Sequence, residues 1–332
     1  MEPVAIIFHN IQIYWSHIIA VLTAAVWFFS VLAFASAAKI RTGAVVLLPV
    51  LAGALSFVLS RLLYWYTAAE SYADIKTALT DPDPFAFNVT GVIAGGALAA
   101  LFIRLIRLEK RLPALFDALA VPAAAGIGLH SLVFFFGEGF KGNMMITDPA
   151  VTGSVFATAL TDSRGNITYR FSSFFVCFLC MILIVVITSL IFFIRKEKDG
   201  TAAGVFLLLY SSSQFIIDST RYDSGYFSFN GFVSIIQIFS GVCILGITIY
   251  YFICGIMRKI HRVGMTVLFI LQILAMGAAG YLEYLVQRHG DRASGIYLYM
   301  TAACVFMVIL PCVMGVVSRK KPGAANGTQN GT

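Results

Sequence analysis

Charge is what this 332-residue sequence has least of: Asp, Glu, Lys and Arg make up 12% of it, against 59% hydrophobic residues. Its mean hydropathy is +0.88. Soluble domains carry about twice that charged share, so a soluble globular fold is excluded. The six cysteines, Cys177, Cys180, Cys243, Cys254, Cys304 and Cys312, all fall inside apolar runs, which excludes a disulfide framework. Cys177-Phe-Leu-Cys180 has CxxC spacing without the polar setting of a redox or metal pair, and reads as small buried hydrophobes. The five histidines are scattered, and no run offers two ligands one turn apart, so neither a metal nor a cofactor site is supported. A cleavable signal peptide is not expected, because Glu2 replaces the usual basic patch and the first apolar run is too long. Internal repeats, common in transporters, are missing.

Apolar runs are what the sequence has in abundance. A helix needs roughly 20 apolar residues to span a bilayer, and about nine runs approach that length. They lie near 16–37, 43–66, 86–107, 114–136, 173–194, 201–217, 231–256, 264–286 and 296–318. The fold expected is an all-α polytopic membrane protein. Most Lys and Arg crowd into alternate loops, at Lys39 and Arg41, Arg104 to Arg111, Arg195 to Lys198, Arg258 to Arg262, and Arg319 to Lys321. By the positive-inside rule the N-terminus is then outside and the C-terminus cytoplasmic. The +7 net charge is a topology signal, not a sign of nucleic-acid binding, and no nucleic-acid partner is expected.

The outer connections carry local signals. Tyr72, Ile75 and Leu79 share a face of a short helix, with Glu70, Asp74 and Lys76 elsewhere; it lies on the membrane surface or packs on its own protein. Asp81-Pro82-Asp83-Pro84 predicts an extended turn before the third run. The loop 137–172 is the longest, and Asp162 to Arg170 predicts a small hairpin within it. Asn88-Val-Thr and Asn166-Ile-Thr match a glycosylation pattern. The tail after Lys321 reads as disordered.

Ionisable residues inside the runs point to function, since charge in hydrocarbon costs several kcal/mol and usually faces a polar cavity. Arg61, His130, Asp218 and Arg221 gather near the outer ends, with Thr90 and Gln214. Gly91 and Gly95 have GxxxG spacing, which permits close helix approach; the same helix start also suits a phosphate. Pro122, Gly126 and Gly128 weaken the fourth run just before His130, as in discontinuous helices that line cavities. His130 reads as a base, a proton carrier or a hydrogen-bonded packing residue. Gln214, Asp218 and Arg221 share one helix face. Arg61 reads as a cation in the site or as one snorkelling to headgroups.

These segments together resemble prolipoprotein diacylglyceryl transferase over roughly residues 10–257. Ser60-Arg61-Leu-Leu-Tyr64 resembles the family's Gly-Arg-x-Gly-Tyr, and Thr90-Gly91-Val-Ile-Ala-Gly95 stands where the family has His-Gly-Gly-x-x-Gly. Leu129-His130 through Gly137-Glu138 matches Gly-Arg-x-Gly-Asn-Phe-x-Asn-x-Glu at Phe134 and Glu138. Gln214-Phe215-Ile-Ile-Asp218-Ser-Thr-Arg221 is similar to Arg-Phe-x-x-Glu-x-x-Arg. Departures fall on polar positions: Thr90 for histidine, His130 for arginine, Val133 for asparagine and Gln214 for arginine.

The resemblance implies transfer of diacylglyceryl from phosphatidylglycerol to a prolipoprotein lipobox cysteine, in a bacterial cytoplasmic membrane. Arg61 and Arg221 would hold phosphate, His130 would act as base or donor, and Asp218 would orient them. Tyr64, Thr90, Gly91, Glu138 and Gln214 would contact the lipid. The competing readings are a non-enzymatic paralogue that binds lipid or signal peptide, and a small-solute transporter. The organisation expected is a seven-helix domain at 1–257, two added helices at 258–318 and a tail at 319–332. Glu283 either completes the cavity or pairs with Arg288 or Arg292.

Overall fold

The computed structural model of the chain describes residues 4–8, 11–67, 72, 74–161, 165–194, 199–227, 230–258, 262–288 and 293–318. The basic residues Arg195, Lys196, Lys198, Lys259 and Arg292, the acid Glu70, the hairpin turn at 162–164 and the tail from 319 lie outside them. The elements are β1 (Val4–Phe8), β2 (Ile11–Tyr14), α1 (Trp15–Ala37), α2 (Thr42–Thr67), α3 (Ile75–Thr80), α4 (Val89–Leu105) and α5 (Leu112–Ser131). They continue with α6 (Pro149–Thr152), β3 (Ala157–Thr161), β4 (Ile167–Phe171), α7 (Ser173–Ile194), α8 (Thr201–Ser219), β5 (Tyr226–Phe227) and β6 (Asn230–Ser234). The last three are α9 (Ile235–Met257), α10 (Arg262–Arg288) and α11 (Ala293–Val317).

Eight helices among the described residues are long and apolar enough to cross a membrane, and the chain is an all-α polytopic membrane protein. The run at 86–107 yields instead the 17-residue α4. Asn88 Oδ1 accepts the Thr90 N–H at 3.0 Å and fixes the helix start at Val89. The run at 231–256 also starts late, because its first residues form β6. A reciprocal cap then opens α9: Ser234 Oγ accepts the Gln237 N–H, and Gln237 Oε1 accepts the Ser234 N–H, each at 3.1 Å.

The weak point predicted around Pro122 does not break the fourth span. α5 is continuous from Leu112 to Ser131 and is the most buried of the spans. It packs against α1, α4, α7 and α8, and these contacts hold it through the proline. Its geometry changes only after Ser131, in a 3-10 turn over Leu132–Phe135.

The glycine spacing on α4 is a packing device. A Cβ on Gly91 would stand 2.5 Å from the Ser60 backbone, and one on Gly95 would stand 2.3 Å from the Ser56 nitrogen. Both glycines are needed because α2 and α4 touch backbone to backbone. Two hydroxyls fasten that contact: Ser56 Oγ donates to the Val92 carbonyl at 2.7 Å, and Ser60 Oγ accepts the Asn88 N–H at 2.8 Å.

Two buried acids are also structural. Asp117, on α5, caps α8 from the side, accepting the Gly200 N–H at 2.6 Å and the Ala203 N–H at 2.7 Å. Glu109 accepts the N–H groups of Arg41, Lys110 and Arg111. At that end of the bundle a core of small side chains, among them Ala35, Ala44, Ala52 and Ala99, joins α1, α2, α4 and α5.

The short helix expected around Tyr72 is only the six-residue α3, with Asp74 as its cap. Tyr72 lies outside it. The predicted hairpin is present as β3 and β4, and two further hairpins, β1–β2 and β5–β6, accompany it.

The chain divides into two compact units, Met1–Gln237 and Ile238–Thr332. In the second, Tyr251 of α9 packs with Met265 of α10 and Met314 of α11, and the Phe252 and Phe269 rings lie 4.7 Å apart. Two of its buried polar side chains make internal hydrogen bonds. Gln272 Nε2 donates to the Met307 carbonyl at 3.4 Å, and Glu283 accepts from Gln287 at 2.9 Å. Arg288 reaches the Tyr284 hydroxyl instead of Glu283.

Candidate functional site

Antiparallel helices put the C-terminal ends of α2, α5 and α8 beside the N-terminal ends of α4 and α7. A chamber of about 460 Å³ lies among them. Tyr64, His130, Glu138, Gln214 and Arg221, separated by up to 157 positions in sequence, all line it. A second cavity of about 510 Å³ lies between α1, α2, α4 and α5, and its wall is almost wholly apolar. Val50 and Phe57 on that wall are exposed, so the groove opens on the flank of the bundle. Phe87, Val89, Ile127 and His130 line both cavities and form the partition between them.

His130 is positioned by a strap, residues 81–88, that connects α3 to α4. Its Nε2 lies 3.1 Å from the Pro84 carbonyl. A carbonyl only accepts, so Nε2 carries the proton and, in the neutral ring, Nδ1 holds the lone pair. The ring sits edge-on to Phe87 and Phe134, at 5.4 and 5.9 Å.

Arg61 holds the strap. Only 2% exposed, it donates through Nη2 to the carbonyls of Asp81 at 2.9 Å and Asp83 at 2.7 Å. Its guanidinium lies over the rings of Phe87 and Phe57, 4.6 and 5.6 Å from their centroids. Tyr72 fastens the outer side by donating to Asp81 Oδ2 at 2.7 Å. Burial, with that hydrogen bond, pushes the Tyr72 hydroxyl up, and burial also raises the Asp83 carboxyl. Arg61 does not line the chamber. Nη2 serves both main-chain carbonyls, while Nε and Nη1 are buried without hydrogen-bond partners.

Arg221 is the cation on the chamber wall. Its Nε donates to Asp223 Oδ1 at 3.0 Å, its Nη1 stands 3.8 Å from Asp218 Oδ1, and it stacks on Phe140 at 4.1 Å. Burial works against its charge, but Asp223 and Asp218 outweigh burial and hold it above its ordinary value. Asp223 is affected in the mirror sense. Burial opposes its ionisation, yet Arg221 and the Phe140 N–H, 2.8 Å from Oδ2, keep the carboxyl below the usual range. Phe140 has φ +57°, an unusual conformation for a bulky residue. Asp223 holds its N–H, and its carbonyl accepts the Phe174 N–H at 3.1 Å.

The turns 137–143 and 220–225 are laced together. The Tyr222 hydroxyl donates to the Glu138 carbonyl at 2.7 Å, the Tyr222 N–H to the Lys141 carbonyl at 3.1 Å, and the Asn143 N–H to the Thr220 carbonyl at 2.7 Å. Lys141 is 2% exposed and donates to the Gly137 carbonyl; burial pushes its ammonium down.

Of the expected site residues, Thr90 and Gly91 are buried at the start of α4 and reach neither cavity. Close packing on Ser60 occupies Gly91 and leaves no space for a ligand there. Asp218 is 1% exposed and lies behind Arg221, its Oδ1 3.8 Å from Nη1. Asp223 and Phe140 were not anticipated. Cys177, read as a hydrophobe, lines the chamber and accepts from Gln214 Nε2 at 3.3 Å.

A chamber with several polar and charged side chains thus stands beside an apolar groove, both inside a bundle of membrane-spanning helices. The sequence places the chain more narrowly. A family model described as prolipoprotein diacylglyceryl transferase matches residues 3–253, and the chain belongs to that family. No curated protein matches it. The matched region contains the strap, the chamber and the groove, and ends within α9.

Proposed function

We propose that the protein transfers a diacylglyceryl group from a glycerophospholipid to the lipobox cysteine of a prolipoprotein. The observation that carries this reading is the shared partition. A lipid whose head enters the chamber and whose acyl chains lie in the groove brings its glycerol carbons to His130 and Phe87. The thiol of the acceptor peptide gives its proton to His130 Nδ1, the sulfur–carbon bond forms at the glycerol carbon, and the carbon–oxygen bond to phosphate breaks. The departing phosphate takes the electron pair and meets Arg221, a preorganised cation that gains interaction as charge develops. Tyr64, Gln214 and Glu138 line the head compartment. By the loop charges, the chamber lies toward the outer leaflet of a bacterial cytoplasmic membrane, with the N-terminus outside.

The test combines purified protein, phosphatidylglycerol vesicles and a lipobox peptide, with mass spectrometry of the peptide. A diacylglyceryl increment that disappears in His130→Ala and Arg221→Ala establishes the transferase. No increment, beside an active family enzyme, supports the second reading: a non-enzymatic paralogue that binds lipid or signal peptide. Thr90, His130, Val133 and Gln214 at the family's polar positions favour that alternative.

A further inference from the structure

The far end of α4 carries a second set of cations. The helix is 17 residues long, which puts its last turn about 25 Å from the end that borders the chamber. A hollow of about 580 Å³ lies there, lined by Leu101, Arg104, Leu105, Arg107 and Lys110. All five are exposed.

The acids near this end are engaged elsewhere. Buried Glu109 accepts the N–H groups of Arg41, Lys110 and Arg111, and Asp117 accepts those of Gly200 and Ala203. Asp199 stands 3.9 Å from Arg111, which also donates to the Ala38 and Lys39 carbonyls. Glu109 thus folds the turn 106–111 with its own carboxylate inside and the Arg107 and Lys110 side chains outside. Arg104 donates to the Lys110 carbonyl and keeps its charge. Among the described residues the wall of the hollow holds three cations and no carboxylate.

Arg107 adds a second observation. α4 ends in a Schellman turn, with the Leu108 N–H donating to the Ile103 carbonyl at 3.2 Å and the Arg107 N–H to the Arg104 carbonyl at 3.0 Å. Arg107 stands in that turn at φ +60°, a conformation glycine adopts at less cost. Helix C-termini and inward loops both favour cations. Neither calls for arginine at the strained position, or for two exposed leucines beside it.

We propose that this hollow binds an anionic phospholipid of the leaflet opposite the chamber, its phosphate held by Arg104, Arg107 and Lys110 and an acyl chain lying on Leu101 and Leu105. The leucines favour a lipid over a free phosphate, and each cation beside the bilayer adds to the attraction for an anionic head. The assignment does not depend on the transferase reading.

The experiment places the full chain in phosphatidylcholine vesicles containing a photoreactive acyl-chain probe, either phosphatidylglycerol or phosphatidylcholine, and maps cross-links by peptide mass spectrometry. The phosphatidylglycerol probe should label residues 101–110 several-fold more than the phosphatidylcholine probe. Arg107→Gly combined with Lys110→Gln should cut that labelling roughly 25-fold, about fivefold for each cation. Glycine suits the turn, and Lys110→Gln keeps the N–H that Glu109 accepts, so the unfolding temperature should not fall. Equal labelling by the two probes overturns the proposal, as does labelling unchanged in the folded double variant. Labelling removed by inorganic phosphate, but not by chloride at equal ionic strength, overturns the lipid assignment in favour of a free anion. Label at 101–110 with none in the chamber upholds this site and counts against the transferase reading.

Discussion

Replacing Arg61 by methionine separates a strap-holding arginine from a phosphate-binding one. The substitution removes two charge-assisted hydrogen bonds to main-chain carbonyls, each contributing about 1.5–3 kcal/mol, and a buried cation–π contact of about 2 kcal/mol. Against that loss stands a gain. Arg61 Nε and Nη1 are buried without hydrogen-bond partners, and relieving each such group returns about 1–3 kcal/mol. The net expectation is a modest loss of about 1–3 kcal/mol, concentrated in the strap. Hydrogen exchange reads it directly. The N–H groups of Asp83, Phe85, Phe87 and Asn88 are bonded to Asp81 Oδ1, Asp83 Oδ1, the Phe85 carbonyl and Ser60 Oγ. Peptides covering them should exchange roughly 5- to 150-fold faster in Arg61→Met, with the rest of α5 and α7 unchanged. Arg61→Lys should fall between, since an ammonium reaches a carbonyl but lacks the flat face for Phe87. Unchanged exchange in the strap, together with lost lipid adducts, would refute the reasoning and return Arg61 to the ligand.

Other expectations follow from the packing and the charges. Gly95→Ala should cost about 1–3 kcal/mol or more, because the new methyl meets the Ser56 backbone at 2.3 Å and no side chain can yield. Gly277→Ala, inside α10 with open space around it, is the contrasting control in the same thermal-unfolding series and should gain about 0.5–1 kcal/mol. Asp117→Ala should cost about 0.5–2 kcal/mol by uncapping α8, seen as faster exchange at 200–204. Asp223 has a folded pKa below its unfolded 3.8, so its contribution is present above that value and lost as pH falls through the folded one. The turn 218–225 should therefore hold at neutral pH and loosen only on strong acidification, and Asp223→Asn should flatten that acid limb.

The lengths of the apolar runs were enough to recognise the class, because a bilayer imposes one requirement on every span. Local chemistry shifted the edges. Phe232 and Val233 of β6 lead into the apolar helix without a break, and a short apolar run does not declare whether it is strand or helix. Pro122 looked disruptive on its own helix; its neighbours on four other helices decided otherwise. At the site, spacing grouped Gln214, Asp218 and Arg221 because one helix carries them. Arg61 was ambiguous for a different reason. Its role depends on where the carbonyls of Asp81 and Asp83 come to rest, which no side-chain pattern encodes. Asp223 lies in a turn outside any periodic segment, and only the return of the chain past Arg221 gives it meaning.

The same comparison explains why a chain with four altered polar positions retains a chamber at all. The groups that shape it act on the backbone: Arg61 on the strap, Asp223 on the Phe140 turn, and Ser60 with Gly91 on the α2–α4 contact. Of the four departures, His130 bonds the strap at the Pro84 carbonyl, whereas the Gln214 side chain bonds Cys177 on the chamber wall and is separate from these links. Charge should then be reversible without loss of fold. Gln214→Arg adds one cation beside Cys177, facing the open volume of about 460 Å³ that receives the longer side chain. The wall gains one positive charge, and a close charge pair of about 2 kcal/mol shifts the ratio of bound anionic to zwitterionic lipid by up to roughly 30-fold. Native mass spectrometry of adducts from vesicles of equal parts phosphatidylethanolamine and phosphatidylglycerol measures that ratio, and unfolding temperature within a few degrees of the parent confirms that packing survived. A ratio that does not move in a folded Gln214→Arg protein would mean that headgroup choice is made outside the chamber, and the electrostatic account of this site would fall with it.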